Sequence, residues 1–303
     1  MGNPADRIQL LETFARIAEA GSLSAAARSL GVSQASVSRQ LAALEARLGT
    51  TLARRSTHEL TLTPEGERLL PRARELVGGW DATREALAGG EATPRGLLRV
   101  VAPTGFGPLV VAPLAARLLR RHPEVDVDLV LTDAAVDLVG LGADLQLKVG
   151  PVERQELVAR RIGAAQRWLV AAKDLDLGGF LDEGGALRPG LPIVALAPLH
   201  DGVLGLTDEG GRQVSLACRV RLRSEVLQAA FQAVLAGGGA GLLPVWLVAP
   251  EVEAGRLVRL APRATFAPIP IHLVFPPGRY RPARTRLFAA LLEEEMRGLL
   301  RAG

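Results

Sequence analysis

The chain has 303 residues, 48% of them hydrophobic and 22% charged, with 36 Lys and Arg against 32 Asp and Glu for a formal net charge of +4. That length accommodates two or three domains with true cores, and the hydrophobic content excludes a disordered chain. A lone cysteine, Cys218, excludes an intramolecular disulfide and a two-cysteine peroxide sensor, and reads as a small buried hydrophobe.

No apolar run is long enough to span a membrane. Asp6, Arg7, Glu12 and Arg16 interrupt any N-terminal signal core, so a cytoplasmic location is expected. Ile8, Leu11, Phe14, Ile17 and Ala18 form an apolar stripe on a first helix that ends at Gly21. Ser24 is a candidate N-cap for a second, small-residue helix through Ala25, Ala26 and Ala27, and Gly31 supplies the positive φ for a tight turn.

A third helix follows, capped by Ser33, with Val37, Leu41, Leu44 and Leu48 at helical spacing toward the core. Its opposite face is small and polar. Gln34 and Ser38 lie one turn apart with Arg39 beside them, and Ser33, Ala35 and Ser36 complete the N-terminal end, the part that a helix-turn-helix inserts into the major groove. Gln can bond adenine bidentately, Ser can bond several base edges, and Ala can touch a thymine methyl. The competing reading of this segment alone is a helical hairpin with a solvated polar face.

Leu52, Leu60 and Leu62 predict two short strands around a polar tip from Ser56 to Glu59, the pattern of a wing. Arg54, Arg55 and His58 stand where a wing meets phosphates, although His58 fits a solvated loop equally well. Thr63 and Pro64 then open a long helix. Along it Leu69, Ala73, Leu76, Trp80, Thr83 and Leu87 form a heptad seam, suited to a second copy or to packing on its own domain. Pro71 and the Gly78–Gly79 pair are expected to weaken or kink it. The segment Gly89, Gly90, Glu91, Ala92, Thr93, Pro94 reads as a hinge.

Beyond the hinge, a strand at Leu97 to Ala102, a helix at Leu109 to Arg121, a strand at Val125 to Leu131, a short helix at Ala134 to Leu141 and a strand at Leu145 to Val149 give a βαβαβ order. A parallel sheet with right-handed crossovers follows from it. A second lobe is expected from about Leu169 to Ala267, with a strand at Ile193 to Ala197, a helix at Ser224 to Ala236 and a strand at Gly241 to Leu243. The chain returns to the first lobe through Ile271 to Phe275 and a final helix from Pro282. Pro103, Thr104, Gly105, Phe106 and Gly107 end a strand and open a helix; such a turn presents free N–H groups to a carboxylate or other small anion, unless Thr104 merely caps the helix.

The ordered set Phe14, Glu19, Gly21, Ser22, Leu30, Val32, Ser33, Gln34, Ser38, Gln40, Leu41, Leu44, Glu45, Leu48, Gly49, Leu52, Arg55, Leu62, Thr63 and Gly66 resembles the N-terminal pattern of the LysR-type transcriptional regulators. The resemblance extends over nearly the whole chain. Two positions depart from it, since the family usually has Pro near Ala35 and Phe at Ala53, which bears on the start of the recognition helix and on wing packing.

The resemblance implies an N-terminal all-α winged helix-turn-helix (1–63), a linker helix for dimerisation through Leu69, Leu76, Trp80 and Leu87 (64–90), and a C-terminal effector-binding domain (91–303). The last is expected to be an α/β, two-lobed, periplasmic-binding-protein-like domain, with lobe I at about 96–168 and 268–303 and lobe II at about 169–267. Effector contacts are implied at Thr104, Gly105 and Phe106, at Thr132 and Asp133, and at Lys148 and Gly150. Lys148, one of two lysines in the chain, reads equally as a surface charge.

An enzyme is not expected. The run Gly237 to Gly241 lacks the Lys-Ser/Thr of a phosphate loop, and His58, His122, His200 and His272 have neither metal-ligand spacing nor a nucleophile motif beside them, so no metal or cofactor is implied. A ligand-binding protein without DNA activity accounts for the two lobes but not for the first 63 residues. Residues 1–90 carry eleven arginines against ten acids, so attraction to DNA must come from local placement. The expected partners are double-stranded DNA, a small-molecule effector such as an anion or carboxylate, and further copies of the chain as homodimer or homotetramer, with RNA polymerase an added candidate.

Overall fold

The computed structural model describes residues 7–55, 60–87, 93–152, 157–181, 186–196, 199–277 and 281–301. The wing tip with His58, and most of the hinge, lie outside them.

Three helices, α1 (Arg7–Ala20), α2 (Leu23–Leu30) and α3 (Gln34–Leu48), precede the antiparallel strands β1 (Ala53–Arg55) and β2 (Leu60–Leu62). The stripe of α1 buries Leu10, Phe14 and Ile17 fully, so its core face is centred on Leu10 rather than Leu11. Gly31 ends α2 at φ 64, the left-handed conformation that the turn requires. The cap of α2 is Ser22, whose side chain accepts from the Ala25 amide, and not Ser24, which lies one residue inside the helix. Leu48, expected in the core, is half exposed on the last turn of α3 beyond the buried Val37, Leu41 and Leu44.

Helix α4 (Pro64–Leu87) runs unbroken through Pro71 and Gly78–Gly79. Thr63 caps it, accepting from the Gly66 amide at 3.1 Å while its own hydroxyl donates to the Thr51 carbonyl at 2.7 Å. Gly66 is required there, because a Cβ would stand 2.1 Å from the Leu52 carbonyl oxygen. Leu69 and Ala73 pack into the core formed by α1, α2 and α3, which holds the first turns of α4 on their own domain.

The C-terminal part has two lobes. Lobe I is built on β3 (Gly96–Ala102), β4 (Val125–Leu131), β5 (Leu145–Val149), β6 (Val158–Ala165) and β14 (Ile269–Phe275), in the order β4-β3-β5-β14-β6. The β3–β4 and β3–β5 pairs are parallel, whereas β14 returns antiparallel to both β5 and β6. The helices α5 (Ala112–Arg121), α6 (Leu138–Leu141) and α9 (Ala283–Arg301) cover it. Because both faces are covered, the central strands are apolar in succession: Leu98 and Val100 meet Leu114, Phe288, Leu292 and Met296, while Val101 meets Leu138 and Val274. Each of these large side chains, fully buried, contributes about 1.5–3 kcal/mol.

Lobe II contains β7 (Arg167–Ala172), β8 (Pro192–Leu196), the hairpin β9 (Val203–Thr207) and β10 (Gln213–Ala217), β11 (Arg219–Ser224), α7 (Leu227–Leu235), β12 (Gly241–Pro244), α8 (Val245–Glu253) and β13 (Leu257–Arg259). Its sheets are β12-β7-β13 and β11-β8, stitched by a parallel bridge between Ile193 and Ala240.

Several boundaries differ from expectation. The helix expected from Leu109 begins as a π-turn, Gly107–Val111, and only then becomes α5; α6 starts at Leu138 rather than Ala134, because Asp137 caps it; and Ser224 ends β11 instead of opening α7. Cys218 is half-buried against the lobe II core, where burial pushes its thiol pKa up and away from reactivity. No described helix is long and apolar enough to cross a membrane.

Candidate nucleic-acid interface and effector cleft

The first face is the N-terminal end of α3. Ser33 caps it, accepting from the Ser36 amide at 3.2 Å, and Ser33, Gln34, Ala35 and Arg39 are exposed while Ser36 and Ser38 are half-buried. The Ser24 hydroxyl donates to the Gln34 side-chain oxygen at 3.1 Å, tying α2 to the first residue of α3. On the inner side Thr13 of α1 donates to Gln40, whose amide donates to the Ser36 hydroxyl at 3.3 Å. These bonds fix the rotation of α3, so that its polar end faces outward as one surface.

Arg39 and Arg54 are exposed and form no ion pair among the described residues. Arg55 pairs through its backbone with Leu60, but its side chain lies outside the described residues. The wing is anchored by Glu45, a residue to which sequence reasoning gave no role. Its Oε1 accepts from the Leu52 amide at 2.8 Å and the Ala53 amide at 3.3 Å, so the strand and α3 move as one body.

The exposed part of the α4 seam is shorter than the heptad count. Leu76 is 53%, Trp80 45% and Leu87 84% exposed, whereas Leu69 is half-buried against the core of its own domain.

The second face is the turn between β3 and α5. Thr104 does not cap a helix: its hydroxyl donates to the Asp133 carboxylate, and the π-turn has no side-chain cap. Thr132 accepts from the Ala134 amide at 3.1 Å, which shapes the strand end that presents Asp133. The Gly105 amide has no acceptor among the described residues. Val101 pairs with Gln146 in parallel, so two residues further on Lys148 stands beside the start of this turn, half-buried and without an ion-pair partner among the described residues. Gly150 follows at φ 94, its carbonyl 3.1 Å from His272 Nδ1. Thr104, Gly105, Thr132, Asp133, Lys148 and Gly150 thus lie at the same end of the lobe I sheet.

Lobe II meets this turn at two points that the sequence did not reveal. A Cβ on Gly105 would stand 2.7 Å from the Leu227 side chain of α7, and Phe106 stacks tilted on Trp246 of α8 with ring centroids 4.8 Å apart. The indole N–H of Trp246 is buried and has no acceptor among the described residues. A buried unpaired donor costs free energy until something accepts from it.

Comparison with known proteins bears on both faces. Residues 8–67 match the family model described as a bacterial regulatory helix-turn-helix protein, lysR family, and residues 91–297 match the LysR substrate binding domain. The chain is 33% identical over 300 residues to the HTH-type transcriptional regulator PtxR of Pseudomonas aeruginosa, covering 94% of this chain and 92% of that one. It is 30% identical over 258 residues to the regulator DmlR of Escherichia coli, covering 83% and 82%. Among solved structures it is similar to full-length OxyR from Pseudomonas aeruginosa (TM-score 0.67, 17% identity, 99% and 98% coverage) and to the Vibrio cholerae virulence activator AphB (TM-score 0.55, 24% identity, 95% and 98%).

Proposed function

Starting from a chain that belongs to the LysR family of transcriptional regulators, DNA-binding proteins with a ligand-binding regulatory domain, we propose which residues carry each task. The domains divide at 1–63, 64–90 and 91–303. Gln34, Ser38, Ser33, Ala35 and Ser36 read base edges in the major groove, and Arg39, Arg54, Arg55 and His58 bind phosphates. The observation that carries this reading is the outward-facing end of α3, with Gln34 braced by Ser24 and Arg39 left without an ion-pair partner among the described residues.

Two copies meet through Leu76, Trp80 and Leu87, in a dimer or a dimer of dimers, because these side chains are exposed and apolar on one helix. Leu69 contributes indirectly by fixing α4 to its domain. Two copies then address two half-sites of a partly palindromic operator. The protein works in the cytoplasm, where its DNA and RNA polymerase are.

The effector sits between the lobes against Thr104, Gly105, Phe106, Thr132, Asp133, Lys148 and Gly150. The Gly105 amide and Lys148, neither of which has a partner among the described residues, favour an acidic group, while Asp133 favours a hydroxyl or amine on the same molecule. The test has two parts. Selection of random-sequence duplexes by the full chain should yield one enriched operator, and removal of residues 1–63 should abolish that binding. A thermal-shift screen of hydroxy acids, amino acids and simple carboxylates on the truncated chain should still find a stabilising ligand. No enrichment of any duplex overturns the DNA reading; no stabilisation by any of these classes overturns the effector assignment.

A further inference from the structure

Arg74 of α4 lies where the DNA-binding part, the linker helix and lobe I meet. Its Nη2 is 3.3 Å from Glu19 Oε1 on α1, and its Nη1 donates to the Leu141 carbonyl of α6 at 3.0 Å. The same carbonyl accepts from Arg99 Nη1 at 2.6 Å, and Arg99 is held in turn by Asp128 at 2.6 Å. Arg74 and Glu19 are only 16% exposed as side chains, far from the geometry of a loose surface pair.

Three features make this junction poised rather than inert. Arg74 Nε is buried with no acceptor among the described residues. Burial and the neighbouring Arg99 cation both lower the Arg74 pKa, against the pull of Glu19. Gly142 holds φ 61, and a Cβ there would stand 2.4 Å from Arg74 Cδ and Nη1, so the guanidinium occupies space that any other residue would fill. The contact is therefore incompletely satisfied and sterically specified at the same time.

The chain that carries the acceptor is short. Asp133, bonded to Thr104 at the cleft, is followed by Asp137, which caps α6, and by Leu141, whose carbonyl meets Arg74. Leu138, 1% exposed, seats this segment on Val101 of the central strand.

We infer that Arg74 is the strut through which residues 132–142 and the DNA-binding domain sense each other, positioning α1 and α4 relative to the effector cleft. The inference rests on the chain binding DNA through α3. When residues 132–142 shift, the Leu141 carbonyl moves and Arg74 retains only Glu19; when DNA reorients α1 and α4, the same contact carries the change back. Coupling free energies are reciprocal, so DNA can replace an unidentified effector as the probe.

The experiment is hydrogen–deuterium exchange on the full-length protein, with and without an operator duplex selected as above. In the unmodified protein, operator should change the exchange of amides 132–142. In Arg74→Gln that change should be lost while operator is still bound, and Gly142→Ala, which displaces the guanidinium without removing its charge, should show the same loss. Arg74→Lys, able to reach one acceptor but not both, should restore part of it. Failure of the unmodified protein to bind any duplex would sink the DNA reading instead of the strut. Normal binding with unchanged exchange at 132–142, or an undiminished response in Arg74→Gln, would overturn the strut alone.

Discussion

The Ser24 hydroxyl donates to the Gln34 side-chain oxygen across the turn between two helices, at 3.1 Å. Oxygen has a second lone pair, so Gln34 can be braced by Ser24 and still accept from an adenine amino group while its own NH₂ donates to the ring. Gln34→Ala should cost about 1–3 kcal/mol on the selected operator and little on random DNA. Ser24→Ala should cost less, because it removes the brace and leaves the reader. Competition titrations decide it, and equal losses on both DNAs for Gln34→Ala would rule out base reading.

Glu45 should matter more to the wing than its place on the inner side of α3 suggests. Glu45→Ala strips an acceptor from the Leu52 and Ala53 amides, which should lower stability by about 1–3 kcal/mol and weaken operator and random DNA alike. Urea titration together with the same binding assay checks both. An unchanged midpoint would mean that water replaces the carboxylate at no cost.

Trp80→Asp should give a smaller species by light scattering and a loss of operator affinity, since a carboxylate cannot be buried unpaired between two helices. Leu69→Ala should instead lower the stability of each chain, because that side chain packs on its own core. Should Trp80→Asp keep the wild-type mass, the exposed half of α4 is not the contact between copies.

Asp144 gives the lobe I core a pH dependence of defined sign. Burial raises its pKa above the usual carboxylate value, opposed in part by Arg284, by the Arg99 amide at 2.9 Å and by Thr285. In the window between the unfolded and the raised value the native state holds more protons than the unfolded one, so stability falls as pH rises through it. Asp144→Asn should remove that component, which paired denaturation curves at pH values rising from the usual carboxylate range would reveal. A wild-type slope retained in the variant would assign it elsewhere.

Thr104→Val keeps the shape of the turn and deletes the hydroxyl bonded to Asp133. DNA affinity without effector should stay near wild type. Affinity for the ligand that the thermal-shift screen finds should fall by about 1–3 kcal/mol by calorimetry, and an unchanged affinity would remove Thr104 from the effector site. Loss of DNA binding without ligand would show that the bond supports the fold rather than the site.

What the sequence determined by itself is local. Caps, positive-φ glycines and apolar periodicity depend on neighbours three or four residues apart, so α3 with its Ser33 cap, the turn at Gly31 and the strands β4 and β5 could be read directly. The same locality made Ser24 look like a cap when Ser22 is one, since both lie just before the same small-residue helix. Leu69 and Trp80 share one heptad seam in sequence, yet only the tertiary structure assigns Leu69 to the chain's own core and leaves Trp80 outside. The lobe II contacts at Leu227 and Trp246, the Glu45 anchor and the Arg74 contact join residues 7 to 140 positions apart. No periodicity encodes such pairings; they exist because closure of two sheets and the packing of α4 bring distant surfaces within reach of a hydrogen bond.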